Sequence, residues 1–590
     1  MASEPKLPII WPKWNRGWHP EKIQEPDGPI RIRNYGIGFE NDNTQPDFYP
    51  LPLLQHIFDR KVLSLEVNAL QGLDQAAKDS LVGRVLGLGD SGLETYIKVF
   101  AILKLMGQLE RLPAFVRERV ADQELPLYRP DRVQRGDRPF YGKSKKPLPD
   151  GLLDEYGWIS FEREQYSVTV PTFDYQSEPY ELVAADVLPY YKVTQTTTST
   201  SPTVSGTSGA STTSSERSGG SGSVSKILIH PLCHKFYDTF RKLEVPDEEI
   251  FFALKKFRND NDTSFRQEVK MLQAFNSTKH LHIMALLAAF TLKSENFLIF
   301  PWADHDLHMY WKKVRPKPDA TDAKLVRWIS RQAWKLVEAV SCIHALPEDK
   351  SIPETGRLYG RHGDLKPENI LWYKSRKGFG NLVIADMGLS KTHKFASKTY
   401  TMRPNVQATP RYRPPEIEYE DGKMGRTFDI WTLGCTFFEM ANWLHGGYTE
   451  LENMVSQLMA GSIRGFCNDV YYEWVHVEDA KFYTIRVKEA VTEKIQALRQ
   501  ECSGFVFDFL GVIQQNMLVI DRDDRASAEA LVKDMKNLHR KCEEDAYCIR
   551  KETRERLDGP KPKLKKRGFA KNLKTVGKDN VPQVYSTSFS

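Results

Sequence analysis

The sequence contains no long hydrophobic run. Its longest uninterrupted apolar stretch, Ile283–Phe290, has eight residues, whereas a membrane-spanning helix needs about twenty. The first residues also lack the basic-then-apolar pattern of a signal sequence. We therefore expect an intracellular protein, cytoplasmic or nuclear, with no membrane association.

Cysteine is also rare, and the net charge is small. Seven cysteines are scattered over 590 residues without a C-x-x-C pair, which argues against a zinc site or a disulfide framework. The net charge is only +6, but residues 550–590 hold twelve Lys or Arg against four Asp or Glu. The cluster Lys561–Arg567 in this tail is either a nuclear import signal, a patch for an anionic partner, or a plain solvated tail. Outside the tail we expect no nucleic acid partner.

The remaining composition is that of a globular protein, with 40% hydrophobic and 27% charged residues, and the length predicts two to four domains. Residues 1–50 show no sustained periodicity and are predicted to be poorly ordered. Residues 51–185 are predicted to be mainly helical. Their clearest helix face repeats at three- and four-residue steps and carries Tyr96, Val99, Phe100, Leu103 and Met106. Around Gln165–Val170, alternation instead predicts strands.

The stretch His362–Asp386 carries the polar residues that phosphoryl transfer requires. That reaction needs a carboxylate at the attacking hydroxyl and oxygen ligands for Mg²⁺ at fixed spacing. Asp364 can accept the hydroxyl proton, Asn369 can turn back to hold a metal, and Asp386 supplies a second metal-facing group. The spacing therefore predicts a site that transfers a phosphoryl group.

These residues resemble a known family. Asp364-x4-Asn369, followed by Asp386-Met-Gly and a Pro-Pro-Glu ending at Glu416, resembles the catalytic domain of eukaryotic protein kinases. The resemblance implies an α+β, bilobal protein kinase fold, ATP and Mg²⁺ as cofactors, and a protein substrate. With the helical string Tyr96–Leu127, the chain further resembles filamentous-fungal kinase-like proteins that have a helical N-terminal extension.

Two further residues resemble the serine/threonine branch of the kinases. They are Lys366 in the string D-L-K-P-E-N and Thr409 in the string A-T-P-R-Y-R-P-P-E. The resemblance implies transfer of the ATP γ-phosphate to Ser or Thr hydroxyls, with Lys366 balancing charge on the transferring group. It also assigns Leu371 to the nucleotide site.

The nucleotide-binding strand of the resemblance lies upstream. Phe252-Ala-Leu-Lys255 resembles the V-A-I-K strand of kinases, and alternation puts Ala253 and Lys255 on one face. Glu268, thirteen residues after Lys255 in a helical string, is expected to pair with it. The alternative is that Lys255 is an ordinary solvated surface lysine.

A glycine-rich loop is expected ahead of that strand. Gly219, Gly220 and Gly222 precede Val224 in a partial G-x-G-x-x-G-x-V pattern, whose missing side chains let backbone N–H groups approach phosphates. Arg217 stands where the first glycine would be. The alternative is a chance match within a Gly/Ser linker.

The hinge between the two lobes is expected directly after the apolar run Phe297–Phe300. Pro301 keeps a carbonyl that can accept a hydrogen bond from adenine, and Ala303 has an N–H that can donate one.

The sequence also departs from the kinase pattern. Gly363 replaces the arginine of H-R-D, which commonly gathers a phosphate on the activation segment, so activity is expected without that phosphate. Met387 replaces the phenylalanine of D-F-G. The resemblance further predicts that Glu416 pairs with Arg525 and that Asp429 braces the catalytic loop.

These readings define the expected organisation. Residues 186–545 form the kinase domain, with a disordered Ser/Thr/Gly insertion at 194–218, and residues 546–590 form a basic flexible tail. The predicted function is an ATP-dependent protein serine/threonine kinase. A pseudokinase that serves as a signalling scaffold is the alternative, because Arg217 and Gly363 depart from the pattern. The oligomeric state and the protein substrate are left open.

Overall fold

The structure is a computed structural model. It describes residues 31–38, 46–88, 94–129, 140–149, 151–193, 216–219, 222–247, 250–257, 262–277, 280–345, 360–386, 409–418, 425–460, 469–476 and 483–549. Most of the predicted insertion and all but the first four residues of the predicted tail lie outside these residues. So do Gly220, Met387 and residues 388–408.

The helices are α1 (Leu51–Ile57), α2 (Arg60–Asn68), α3 (Gln75–Val85), α4 (Ile97–Met106), α5 (Leu112–Arg117), α6 (Glu155–Val168), α7 (Tyr237–Lys242), α8 (Asp262–Ser277), α9 (Leu307–Met309), α10 (Ala323–His344), α11 (Thr427–Ala460), α12 (Glu489–Glu501), α13 (Gly504–Val512), α14 (Ala528–Lys541) and α15 (Asp545–Ile549). The strands are β1 (Tyr180–Leu182), β2 (Tyr190–Lys192), β3 (Glu216–Gly219), β4 (Gly222–Ile229), β5 (Phe252–Phe257), β6 (Ala288–Leu292), β7 (Glu295–Pro301), β8 (His305–Asp306), β9 (Ile370–Tyr373), β10 (Asn381–Ile384), β11 (Tyr472–His476) and β12 (Tyr483–Val487). Within the part of the chain described, no helix combines the length and apolar character needed to cross a membrane.

Contacts divide the chain into two compact units, and the predicted α+β class is confirmed. Unit 1 comprises Met1–Asp238, Asp247–Arg266 and Leu287–Trp302, and unit 2 comprises Thr239–Pro246, Gln267–Leu286 and Ala303–Ser590. The chain leaves unit 1 after Trp302, inside the segment predicted to be the hinge. No division falls at residue 185, because unit 1 holds both the helical extension and the large sheet.

The helical extension has its own apolar core, centred on α4. Four residues of the predicted face, Tyr96, Val99, Phe100 and Leu103, are fully buried, and the fifth, Met106, is partly buried. The ring of Phe100 packs edge-on against Phe58, with centroids 4.9 Å apart. The helical prediction for this region is therefore confirmed.

The strands predicted around Gln165–Val170 are wrong, because most of this stretch belongs to α6. Asp154 caps that helix by accepting the N–H of Gly157 at 2.7 Å. Buried side chains then follow at helical spacing, at Trp158, Phe161, Gln165 and Val168. The Gln165 amide is satisfied by both backbone groups of Leu127, at 2.7 and 2.9 Å, so a buried polar residue that suggested alternation belongs to a helix face.

Part of the predicted poorly ordered N-terminus is packed instead. Ile37 and Phe48 form an antiparallel bridge, and both side chains are buried. Phe48 also meets His230 edge-on at 5.7 Å. Residues 1–30 and 39–45 lie outside the described residues.

Unit 1 is built on a seven-stranded sheet with the order β1-β6-β7-β5-β4-β2, in which β3 also pairs with β4. β1 runs parallel to β6, and the other pairs are antiparallel. β2 lies just before the predicted insertion. The predicted insertion 194–218 needs correction at its end, because β3 begins at Glu216 and its backbone pairs with Ser225.

Unit 2 is mainly helical. Helix α10 buries Ile329, Ala333, Leu336 and Val340 at helical spacing. A small sheet, in the order β10-β9-β8, carries the chain out of the catalytic stretch. The β11–β12 hairpin was not predicted, because this region reads as a continuation of helices.

Candidate active site

The catalytic stretch of unit 2 is fixed by one buried carboxylate on α11. Asp429 accepts the backbone N–H groups of His362 and Gly363, each at 2.8 Å, and lies 2.9 Å from Nε2 of His344. Burial would raise the pKa of Asp429, but the hydrogen bond from His344 and the nearby imidazoles lower it below its ordinary value. The predicted brace is therefore confirmed.

Gly363 has a left-handed backbone, with φ +82°, so the loop turns where glycine is favoured. The neighbouring guanidinium belongs instead to Arg361, which lies 5.2 Å over the ring of Phe428. Burial lowers the pKa of Arg361, although the nearby carboxylates of Asp429 and Glu416 act to raise it. Sequence reasoning missed Arg361, because the motif directs attention to position 363.

Asp364 forms a compact network with Lys366 and Thr409, the two residues that resemble the serine/threonine branch. Its Oδ2 lies 2.9 Å from Nζ of Lys366. Thr409 donates both its backbone N–H and its hydroxyl to Oδ1 of Asp364, each at 3.1 Å. Lys366 donates to the Thr409 hydroxyl at 2.6 Å. A carboxylate oriented by a hydroxyl and an ammonium is a suitable group to position and deprotonate a substrate hydroxyl.

Asn369 and Asp386 lie at one end of the β9–β10 pair. The amide nitrogen of Asn369 donates to the backbone oxygen of Asp364 at 2.8 Å and to its Oδ2 at 3.1 Å. The N–H of Ala385 donates to the backbone oxygen of Asn369 at 2.9 Å, which brings the next residue, Asp386, to the same end. Asp386 is exposed and has φ +59°. Amide and carboxylate oxygens are ligands that suit Mg²⁺.

Leu371 lies beside this pair of residues, on the central strand β9. Its backbone pairs with Val383 of β10 on one side and with Asp306 of β8 on the other. The side chain is partly buried. Leu371 therefore lies in the small sheet itself, whereas Asn369 precedes β9 and Asp386 follows β10.

The predicted pair of Glu416 and Arg525 is confirmed. Both Arg525 nitrogens meet the two Glu416 oxygens at 3.0 Å, and both side chains are fully buried. Arg525 also donates to the backbone oxygen of Thr427 at 2.7 Å. This bidentate pair fixes the Pro-Pro-Glu segment inside unit 2.

The nucleotide-binding residues predicted in unit 1 lie on adjacent strands. Val224 on β4 is paired with Lys255 on β5, and Ala253 on β5 is paired with Phe300 on β7. Directly paired and alternate residues share a sheet face, so Val224, Ala253 and Lys255 lie on one face. Gly219 and Gly222 face each other where β3 turns into β4.

The other predicted nucleotide residues divide between the units. Pro301 ends β7 in unit 1, whereas Ala303 is the first residue of a unit 2 segment. Glu268 lies on α8, as predicted, and belongs to unit 2. Its pairing with Lys255 stays a prediction.

A buried carboxylate on α11 was missed. Glu439 accepts the hydroxyls of Tyr412 and Tyr471, each at 3.0 Å to one of its oxygens, and Arg411 lies 3.7 Å away. Burial raises its pKa to about 7. The signal in the sequence was a lone glutamate within the apolar string Phe437–Ala441, a position that a charge occupies only with partners.

This fold and this loop are typical of protein kinases, and sequence comparison agrees. The protein kinase domain family matches residues 240–535, half of the chain, so the chain belongs to the protein kinase family.

Curated relatives include cyclin-dependent kinase 2 of Caenorhabditis elegans, 29% identical over 205 residues, which are 34% of this chain and 50% of the relative. Cyclin-dependent kinase-like 4 of Mus musculus is 28% identical over 193 residues, 32% of this chain and 48% of the relative. Cyclin-dependent kinase-like 2 of Homo sapiens is 26% identical over 210 residues, 35% of this chain and 37% of the relative. The chain spans half or less of the length of these relatives.

Proposed function

We propose that this chain is an active protein serine/threonine kinase, which transfers the γ-phosphate of ATP to Ser or Thr hydroxyls of a protein substrate. The observation that carries the proposal is the network of Asp364, Lys366 and Thr409. In it, the Asp364 carboxylate contacts the Lys366 ammonium and accepts the Thr409 hydroxyl, and Lys366 donates to that hydroxyl. Family membership and the names of the kinase relatives support the same reaction.

Each residue has a role in this proposal. Asp364 orients the substrate hydroxyl and accepts its proton, while Lys366 balances negative charge at the transferring group. Lys255, held by Glu268, contacts the α- and β-phosphates. The kinase resemblance assigns a second group of residues to ATP: Gly219, Gly220, Gly222, Val224, Ala253, Pro301, Ala303 and Leu371.

Mg²⁺ and ATP are the cofactors that protein kinases generally use. Asn369 and Asp386 supply the two oxygen-bearing side chains that would hold the metal, and their donor types fit the oxygen preference of Mg²⁺. The bound metal would neutralise charge on the phosphates. The protein contributes the geometry, because Asn369 is fixed by Asp364 and Asp386 follows directly after β10.

A pseudokinase scaffold is the second candidate. It is favoured by Arg217, which lies on β3 opposite Val224 in place of a loop glycine. Gly363 is weaker support for it. The loop turns at this glycine with a left-handed backbone, and its N–H donates to Asp429.

A phosphoryl-transfer assay with radiolabelled ATP and a generic protein substrate separates the two candidates. Wild type should transfer phosphate, and Asp364→Asn should lose at least about a hundredfold in rate, because it removes the proton acceptor. The protein is treated with phosphatase first, since the glycine at position 363 predicts activity without an activation-segment phosphate. Equal incorporation by both proteins would favour the scaffold, and activity restricted to untreated protein would contradict phosphate independence.

A further inference from the structure

A segment that precedes the matched kinase region is built into the large sheet of unit 1. We name Phe173–Leu182 the joining segment. Its first residue exchanges backbone hydrogen bonds with the chain around Cys233, from Phe173 N–H to Cys233 O at 2.8 Å and from Lys235 N–H to Phe173 O at 3.0 Å. Its last three residues form β1, the parallel edge strand beside β6. The joining segment is therefore held at both ends.

Aromatic packing connects the two ends of the joining segment. Phe173 is fully buried, and its ring lies 5.5 Å from Tyr180 and 5.9 Å from Phe290 on β6. The hydroxyl of Tyr180 accepts the N–H of Asp174 at 2.9 Å and donates to the backbone oxygen of Thr172 at 3.2 Å. The segment is thus packed on the sheet at Phe173 and Tyr180.

Two carboxylates of the joining segment reach helix α8. Arg266, near the start of α8, lies 3.0 Å from Oε1 of Glu181 and 3.5 Å from Oε2 of Glu178. The adjacent residue Phe265 is buried and packs on Phe257 of β5, with ring centroids 5.7 Å apart. The first turns of α8 are consequently held by the sheet through Phe265 and by the joining segment through Arg266.

We propose that the joining segment is an intramolecular brace for α8, so that kinase activity depends on residues that precede the predicted kinase domain 186–545. The inference rests on the proposed function, in which Glu268 holds Lys255. Glu268 lies on α8, two residues after Arg266. Arg266 is a positioning residue in this scheme, since it acts through the helix and touches no substrate.

Charge reversal tests the brace within the full chain. Arg266→Glu turns two attractions into repulsions, and we expect kcat/KM for ATP to fall about five- to tenfold, since each exposed pair is worth about two- to fivefold. The triple variant Glu178→Arg, Glu181→Arg, Arg266→Glu restores the opposite charges and should recover activity to within about twofold. Lys235→Glu is the matched control, because it breaks the 3.1 Å pair with Asp174 of the same segment without touching α8.

Amide hydrogen exchange along α8 gives a readout that does not depend on catalysis. Arg266→Glu should speed exchange at the start of α8, while the triple variant and Lys235→Glu should match wild type. An inactive wild-type protein would refute the proposed function. The hydrogen-exchange measurement would then still test the brace. Unchanged exchange in Arg266→Glu, no recovery in the triple variant, or an equal effect of Lys235→Glu would each overturn the brace. Should Arg266→Glu fold poorly, Arg266→Gln replaces it, with an expected two- to fourfold effect.

Discussion

Replacing Asp429 by asparagine should loosen the catalytic loop. The wild-type carboxylate is fully buried and meets three groups, the N–H groups of His362 and Gly363 at 2.8 Å and Nε2 of His344 at 2.9 Å. Asparagine keeps the volume but presents an NH₂ group to at least one donor. An unpaired buried donor costs about 1–3 kcal/mol, and the lost charge-assisted bonds cost about 1.5–3 kcal/mol. We expect unit 2 to lose about 3–5 kcal/mol in its free energy of unfolding, the range found when a buried ion pair is broken.

Urea unfolding and amide exchange at His362 and Gly363 measure this loss. Asp508→Asn is the matched control, because Asp508 also accepts two side chains, Lys541 and the Tyr547 hydroxyl, but is partly exposed. We expect the control to cost less than about 1 kcal/mol. If Asp429→Asn changes the free energy of unfolding by no more than the control does, the brace does not hold the loop.

The pH dependence provides a second check on the same residue. The pKa of folded Asp429 lies below its ordinary value of 3.8, so its contribution to stability is present above that value and is lost as the pH falls through the lowered pKa. The stability gap between wild type and Asp429→Asn should therefore be constant near neutral pH and shrink below about pH 4. A gap that is unchanged down to pH 2 would contradict this account.

Two further substitutions address the neighbouring networks. Thr409→Val removes the hydroxyl that bridges Lys366 and Asp364, and we expect kcat to fall about 10- to 100-fold with little change in melting temperature; wild-type kcat would show that the bridge has no role in the reaction. Glu439 has a pKa of about 7 when folded against an ordinary 4.5, so its contribution to stability should be full below pH 4.5 and decline by about 3 kcal/mol up to pH 7. Urea unfolding from pH 5 to 8 should show this decline relative to Glu439→Gln, and parallel curves would argue against a raised pKa.

The predictions for the catalytic loop rest on local spacing, and the roles of its residues stay predictions. Asp364 and Asn369 lie five residues apart, and the bond between them follows from that spacing. The pair of Glu416 and Arg525 is long-range, yet it was predictable from the kinase pattern, since both residues stand in recognisable strings. Spacing and resemblance thus predicted the Glu416–Arg525 pair and the shared sheet face of Ala253 and Lys255.

The extension was less predictable because its structure depends on pairings that no short pattern encodes. β1 joins β6 across more than a hundred residues, and nothing in the three-residue strand Tyr180–Leu182 indicates its partner. The alternation near Gln165 was misleading for a related reason. A buried glutamine satisfied by the backbone of Leu127 has the pattern of a polar strand position but the environment of a helix core. Local patterns cannot separate the two cases until the tertiary partner is known.

The glycine at position 363 illustrates how motif position and physical role can separate. Counted by motif, the loop lacks the arginine that kinases use, which favours a scaffold. In the structure, the conformation at Gly363 is one that glycine adopts without strain, and Asp429 holds its N–H directly. A guanidinium is still present two residues earlier, on Arg361. It interacts electrostatically with the carboxylates of Asp429 and Glu416. The loop is therefore held by groups inside unit 2, and the substitution at position 363 is not in itself an argument against catalysis.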